Sequence, residues 1–574
     1  MRIPRTLCLM FAVALLMGLL PPTSTARPAS IEPALLQILQ AGETAGFFVE
    51  MAIQADLSAA QALDWAARGR YVWEALNEVA RATQAPVFEL ARRHGLQASS
   101  LVAANAVYVR QGTLPAARDL AALPGVARLR LERSWPLAEE ALPSPQAVTS
   151  WGIIDAKAPD VWALGVRGAG AWVAEVGTGV QWTHPALAGN YGCPDDPGSP
   201  RCWWDPSNVC GGLPCDNNGH GTFMMGVVAA EDDPDLDYIV GMAPDARWIA
   251  CKGCESSSCS EFALLSCGDW VLAPDGDPNN RPHVALNPWA GAGGDEWYRP
   301  VVSAWVSSGI MPVFTAGNSG PTCATLGSPC DYPESFCVTG HDESRNPTSF
   351  SSRGPSNFGH DPYTKPNISA PATNLWSAYP TDTWTNWNST AGATAHAAGA
   401  AALAVSGCPE LAYDAYGLFE LLQDNADPPP DGSCGIPPDG EGNYTYGYGY
   451  LNALAAVQAC TTGLQTVHLS SWVMFNRLAR PGVYLVIAQG VVHDQDHNRL
   501  AGITVTGDWT LPDGTVVAGT STMTGANGAW KMTVIKPQCG LYQLDIAGMS
   551  GPGYLYNPAD NHVPTHKEMI IPCK

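Results

Sequence analysis

AWVAEVGTGVQWTHPALAGNY, Ala171 to Tyr191, is the stretch that decides the fold. Its opening run, Ala171 to Val176, is apolar except for Glu175 and stops at Gly177-Thr178-Gly179. A short apolar run bounded by glycines reads as a strand buried on both faces followed by a tight turn. Runs of the same kind recur at Trp248–Cys251, His283–Leu286 and Ile310–Phe314, with helical stretches between them. That alternation predicts an α/β domain with a doubly wound parallel sheet covered on both faces. Functional groups in such folds lie at the carboxyl ends of strands and in the loops just beyond them.

Working outward, this domain spans residues 148–460. Before it, residues 31–132 carry a strand at Phe47–Ile53 and a helical stretch with Val72, Leu76 and Val79 on one side, which Pro86 is expected to break or kink. A strand at Leu101–Val109, a short helix near Leu114–Leu123 and a strand at Val126–Leu131 complete a compact α+β unit. Residues 133–147, with Pro136, Pro143, Pro145 and the adjacent Glu139 and Glu140, read as a linker or processing region. From residue 463 to 574 the helical signal gives way to short alternating runs, Val483–Ile487, Ile503–Val505 and Trp530–Val534, separated by Asp-Gly and Asn-Gly turns. These predict a small β-sandwich module whose end Cys539 and Cys573 could tie.

The first 26 residues have the three parts of a secretory signal: Arg2 and Arg5, an apolar run Leu7–Leu20, and small residues Ser24-Thr25-Ala26. The apolar run has 14 residues, short of the ~20 that span a bilayer, so export is expected rather than anchoring, with no membrane span. Removing it leaves 16 of 17 cysteines, an even number suited to disulfides in an oxidising compartment. The Cys251-x-x-Cys254 spacing would also suit zinc, but export favours pairing; connectivity is left open. A formal charge of −23 disfavours nucleic acid and anionic membrane surfaces as partners.

Two further stretches follow the first in chain order: NNGHGTFMMGVVAA, Asn217–Ala230, and NSTAGATAHAAGAAAL, Asn388–Leu403. With TAGNSGP (315–321), FSSRGPS (350–356), KPNISAP (365–371) and YGYGYLNALAAV (446–457), they resemble the signatures of subtilisin-like serine proteases, the subtilases. WIACKGC (248–254) and CDYPESF (330–336) look most like the bacillopeptidase F type. The resemblance implies a serine endopeptidase fold, makes residues 31–132 similar to a propeptide, and places the triad at 177, 220 and 391. It also implies that Asn318 donates to the oxyanion, and that substrate pairs as an added strand along Asn287, Trp289 and Gly291.

The departures matter more than the matches. A serine attacks only when a His takes its proton and a buried carboxylate orients that His. His220 is retained, but Gly177 stands where the family has Asp and Ala391 where it has Ser. Ser389 and Thr390 are rotated by ~100° per residue away from the direction of Ala391, and Glu175, on the same strand face as Gly177, starts ~6.6 Å back. Pro288 and Ala290 disturb the substrate strand itself. The expectation is a secreted pseudoprotease that binds peptide or protein and keeps its own propeptide attached, the alternative being an active serine endopeptidase with displaced groups. No cofactor is required; structural calcium could be held by oxygens near Asp195, Asp196 and Asp205.

Overall fold

The computed structural model describes residues 29–137, 141–142, 150–231, 240–357, 364–437, 440–461, 465–480, 483–536, 539–550, 554–556 and 561–572. The signal, most of the second half of the linker and Cys573 lie outside these residues.

The central sheet has seven strands, numbered along the chain: β1 (Trp172–Gly177), β2 (Trp203–Trp204), β3 (Arg247–Lys252), β4 (Val284–Asn287), β5 (Met311–Thr315), β6 (Phe336–His341) and β7 (Ile368–Pro371). Their order is β7-β6-β5-β4-β1-β3-β2, every pairing parallel. The order runs away from β1 in both directions, so the chain switches sides there, and β1 delivers Gly177 to the crevice that such a switch creates. Helices Thr390–Gly407 and His220–Ala229 pack on the sheet and on each other, as do Glu261–Leu272 and Arg299–Ser308. The Thr390–Gly407 helix is buried around almost its whole circumference, which explains its run of Ala and Gly: only small side chains let backbone on every side come this close.

The N-terminal unit has a five-stranded sheet ordered Ser30–Ile31, Val126–Leu131, Ala45–Met51, Ala106–Gly112, Ala98–Leu101. Period-two alternation divides its strands between two cores. Phe47, Val49, Val107 and Val109 pack under helix Trp65–Arg93 in one cluster, whereas Phe48 and Tyr108 join the core of the central domain. Tyr108 stacks on Phe262 at 4.5 Å. Two expectations are corrected. Pro86 lies inside a continuous 29-residue helix, because Val87 and Ala91 beyond it are buried on the same face as Leu76 and Ala80, and that packing outweighs one lost hydrogen bond. The run Leu101–Val109 is broken by a turn at Val102–Asn105, whose Val102 and Ala103 amides donate to the Asp269 carboxylate of the central domain at 2.7 and 2.8 Å.

Beyond residue 464 there are two four-stranded sheets. One is ordered Ala529–Lys536, Val483–Asp494, Gln465–Arg480, Tyr554–Tyr556, and the other Val516–Met523, Thr504–Thr510, Gly540–Ser550, His566–Ile571. Their inward side chains, including Trp472, Trp509, Trp530 and Tyr542, form one cluster.

Among the described residues, disulfides join Cys193–Cys202, Cys210–Cys215, Cys251–Cys267, Cys254–Cys259, Cys323–Cys434, Cys330–Cys337 and Cys408–Cys460. The two cysteines of the C-x-x-C therefore pair with different partners, which removes the zinc reading of that motif. Among the described residues no helix is long and apolar enough to cross a membrane.

Candidate active site

Gly177 ends β1, His220 opens the helix His220–Ala229, and Ala391 sits in the first turn of the Thr390–Gly407 helix. Asp216 holds the approach to His220: its carboxylate accepts from the Asn218, Gly219 and Thr222 amides at 3.1, 2.8 and 2.9 Å and from the Thr222 hydroxyl at 2.7 Å. The Gly221 amide donates to Thr178 Oγ1 at 2.8 Å, tying this helix end to the turn after β1. The His220 ring is 1 % exposed and lies edge-on to Trp387 at 5.6 Å.

The space next to Gly177 is filled. Oε1 of Glu175 occupies the place where a Cβ on residue 177 would stand, and it also lies against the corresponding place on Gly221. The spacing argument measured backbone only; a glutamate is long enough to lean forward along its strand face, and the absent side chain at 177 leaves it room. Burial drives the Glu175 carboxyl well above the ordinary carboxylate range and the Asp216 charge adds to this, while Lys252 and the Gly179 amide pull it back. Lys252, itself buried, donates to Thr178 O at 2.5 Å and Asn217 Oδ1 at 2.8 Å. The carboxyl is thus held toward its neutral form, which does not stabilise an imidazolium.

At the helix entrance every nearby hydroxyl has a structural task. Ser389 Oγ accepts from the Ala391 and Gly392 amides at 3.0 and 3.3 Å as an N-cap. Thr390 Oγ1 donates to Asn318 Oδ1 at 2.6 Å, and the Thr390 amide reaches the same oxygen at 3.2 Å. Asn318 and Thr390 line a cavity of about 200 Å³ beside Pro288, Ala290 and Gly291.

Of the residues expected to bind substrate, Gly291 alone faces the strand that lies in the cleft: its open side meets the Trp135 indole. Asn287 is fully buried, its amide donating to Ala285 O at 2.9 Å. The Trp289 ring turns inward, edge-on to Tyr298 and Phe314 at 5.2 and 5.5 Å. Asp195, Asp196 and Asp205 do not form a group of three converging carboxylates.

What sequence reasoning missed is the occupant of the cleft. Ser134–Pro136 pairs antiparallel with Ser258–Ser260, and the Leu137 amide donates to Ser257 O at 2.8 Å. Ala141–Leu142 pairs antiparallel with Asn386–Trp387, the strand that leads into Ser389. Residues 134–137 and 141–142 therefore lie as added strands on these two edges. Trp135 stacks on Trp297 at 4.7 Å. Arg133 grips Glu261 through Nη2 and Nε at 2.7 and 3.0 Å and Asp295 at 2.5 Å, and Arg130 binds the same buried Glu261 at 2.5 Å. The charge pattern at 130–133 was the available signal; nothing in the sequence names its distant partner.

The switch point of this parallel α/β sheet thus gathers a strand-end turn, a His-opened helix and a small-residue helix entrance, with strands on either side that pair with segments of this same chain. Residues 168–449 match the subtilase family, peptidase S8. Bacillopeptidase F of Bacillus subtilis (strain 168) is 36 % identical over 365 residues, which cover 60 % of this chain and 24 % of that protein. Subtilisin DY of Bacillus licheniformis is 32 % identical over 265 residues, 46 % of this chain and 86 % of that protein. Subtilisin E of Bacillus subtilis (strain 168) is 29 % identical over 262 residues, 45 % of this chain and 61 % of that protein. The chain belongs to the subtilase family. It spans about a quarter of the length of bacillopeptidase F. The disulfides are consistent with an extracellular protein.

Proposed function

We propose that this chain is a secreted, non-hydrolytic subtilase homologue that keeps its N-terminal unit as a covalently attached propeptide and acts by binding peptide or protein. Residue 391 carries the reading: a methyl group cannot form an acyl-enzyme, and the closest hydroxyl, Ser389 Oγ, is engaged in capping its own helix. With Gly177 in the acid's place, attack and orientation are both lacking. Residues 134–137 and 141–142, paired along the cleft edges, support a propeptide that stays where it folded, since a site without a serine does not release it. Peptide ligands would compete with that segment for the edges at 258–260 and 386–387.

The second reading, an active serine endopeptidase with displaced groups, is favoured by one observation: the Glu175 carboxyl fills the space beside Gly177. It supplies an acid and no nucleophile, so it does not restore the reaction. The three-part division at 31–132, 148–460 and 463–574, with a signal at 1–26 and a sandwich at the end, belongs to this proposal, as does structural calcium held by loop oxygens.

Purified protein incubated with casein and with a fluorophosphonate probe is expected to show neither cleavage nor labelling, and the secreted form to have the mass of a chain beginning near Arg27. Labelling at Ser389, or a chain beginning near residue 140 in a host lacking other proteases, would overturn the proposal.

A further inference from the structure

The C-terminal module gathers histidines from three separate segments. His468 and His493 are directly opposed on the paired strands Gln465–Arg480 and Val483–Asp494, so their side chains leave the same face of the sheet. The chain then turns within four residues. Asp494 holds that turn, its carboxylate accepting from the Asp496 and Asn498 amides at 2.9 and 2.7 Å, while its carbonyl accepts from the His497 amide at 3.0 Å. His497 sits at φ +62°, a conformation rare for a residue with a Cβ, and this brings its ring back over the strand pair. The third segment is pinned at the same level: the His562 amide donates to Leu469 O at 3.0 Å, and Asn561 Oδ1 accepts from the Leu469 amide at 2.7 Å.

The result is convergent. Ligand nitrogens of His468, His493 and His497 all lie within 4.8 Å of one another. His562 is a fourth neighbour, its ring centroid 4.6 Å from that of His468 and 5.1 Å from that of His497. The donors of a tetrahedral ion with metal–nitrogen bonds of about 2.0–2.1 Å are about 3.3 Å apart, so a modest inward shift of rings closes the set. His468 is buried while His497 and His562 are exposed, giving a fixed floor and an open mouth through which an ion enters. No carboxylate or thiolate belongs to the converging group, and an all-imidazole set selects a borderline first-row ion over calcium or magnesium, which take oxygen.

We propose that His468, His493, His497 and His562 form a zinc(II) site that joins the Asp494–Asn498 turn and the Asn561–His562 loop to the strand pair, independent of the cleft. The full-length protein, stripped with chelator, is titrated with zinc chloride by calorimetry at about pH 7.5. One ion per chain is expected, with thermal unfolding of the module shifted upward and cobalt(II) giving the intense visible bands of tetrahedral coordination. Calcium at the same concentration is expected to give no signal. His497→Asn keeps a residue that tolerates the turn, and His562→Ala lies on an exposed loop. Each is expected to weaken zinc binding at least about tenfold without altering the far-ultraviolet spectrum, and binding is expected to weaken in acid, since protons compete with the ion for the ring nitrogens. His94→Ala, on the N-terminal unit, is expected to bind as the parent does. Absence of uptake, or uptake unchanged in the His497→Asn/His562→Ala double variant, would overturn the site.

Discussion

Replacing Ala391 with Ser in three backgrounds tests what now occupies the acid position. Alone, the change restores the family's hydroxyl at 391 while the Glu175 carboxyl, held toward its neutral form, fills the space beside Gly177. In subtilisin, a relative in which the losses were measured, removing the acid alone costs about 3 × 10⁴ in turnover, so the single variant is expected to fall short of a full triad by up to that factor. Adding Gly177→Asp does not mend this. The new side chain enters space that Glu175 already fills, and two carboxylates held about 4 Å apart repel by about 4 kcal/mol at an effective dielectric near 20, equivalent to about three pKa units. The pair then shares a proton, and the fold loses a comparable amount of stability. Adding Glu175→Val as well clears the space with a residue suited to a buried strand, and this triple variant is expected to be the most active. The readout is built into the molecule: a working site cuts the segment bordering it, so intact mass after expression reports cleavage between residues 137 and 141, with fluorophosphonate labelling of residue 391 and urea unfolding alongside. If the Gly177→Asp/Ala391→Ser double variant proves as stable as the parent and as active as the triple, Glu175 does not hold the acid's place.

Glu175→Gln isolates the titration. A carboxyl whose pKa is higher folded than unfolded gives stability that is complete below its unfolded value, ordinarily 4.5, and is lost as pH rises toward the folded value. The variant is therefore expected to gain on the parent above about pH 4.5, by up to about 1.4 kcal/mol per pH unit within that window, in urea unfolding across the range. Glu261→Ala leaves Arg130 and Arg133 without the buried carboxylate they share; a loss of about 3 kcal/mol is expected, with limited proteolysis appearing first at residues 133–142. Cys323→Ser opens a bond between residues 111 apart, and its loss is expected to lower stability by about 4 kcal/mol, read as a fall in the urea midpoint.

Four strands of the central sheet were legible because they are local facts: Ala171–Val176, Trp248–Cys251, His283–Leu286 and Ile310–Phe314 each fall within a residue of observed strands, whereas Trp203–Trp204, Phe336–His341 and Ile368–Pro371 were not read as strands. Short local motifs likewise carry Gly177, His220 and Ala391, which fall at the end of a strand and in the first turns of two helices. Pro86 and the Leu101–Val109 run misled because each depends on packing at a distance, the first on a buried helix face and the second on Asp269 from another part of the chain.

Sequence by itself determined that residue 391 carries a methyl group and residue 177 only a hydrogen, covalent facts that no packing alters. Tertiary structure alone decided what fills the gaps: Glu175 leaning into the space beside Gly177, residues 134–137 and 141–142 paired along the cleft edges, cysteines paired across 111 positions, and histidines from three segments meeting in the last module. Side-chain reach and long-range closure depend on where distant backbone comes to rest, and no local pattern of residues encodes that distance.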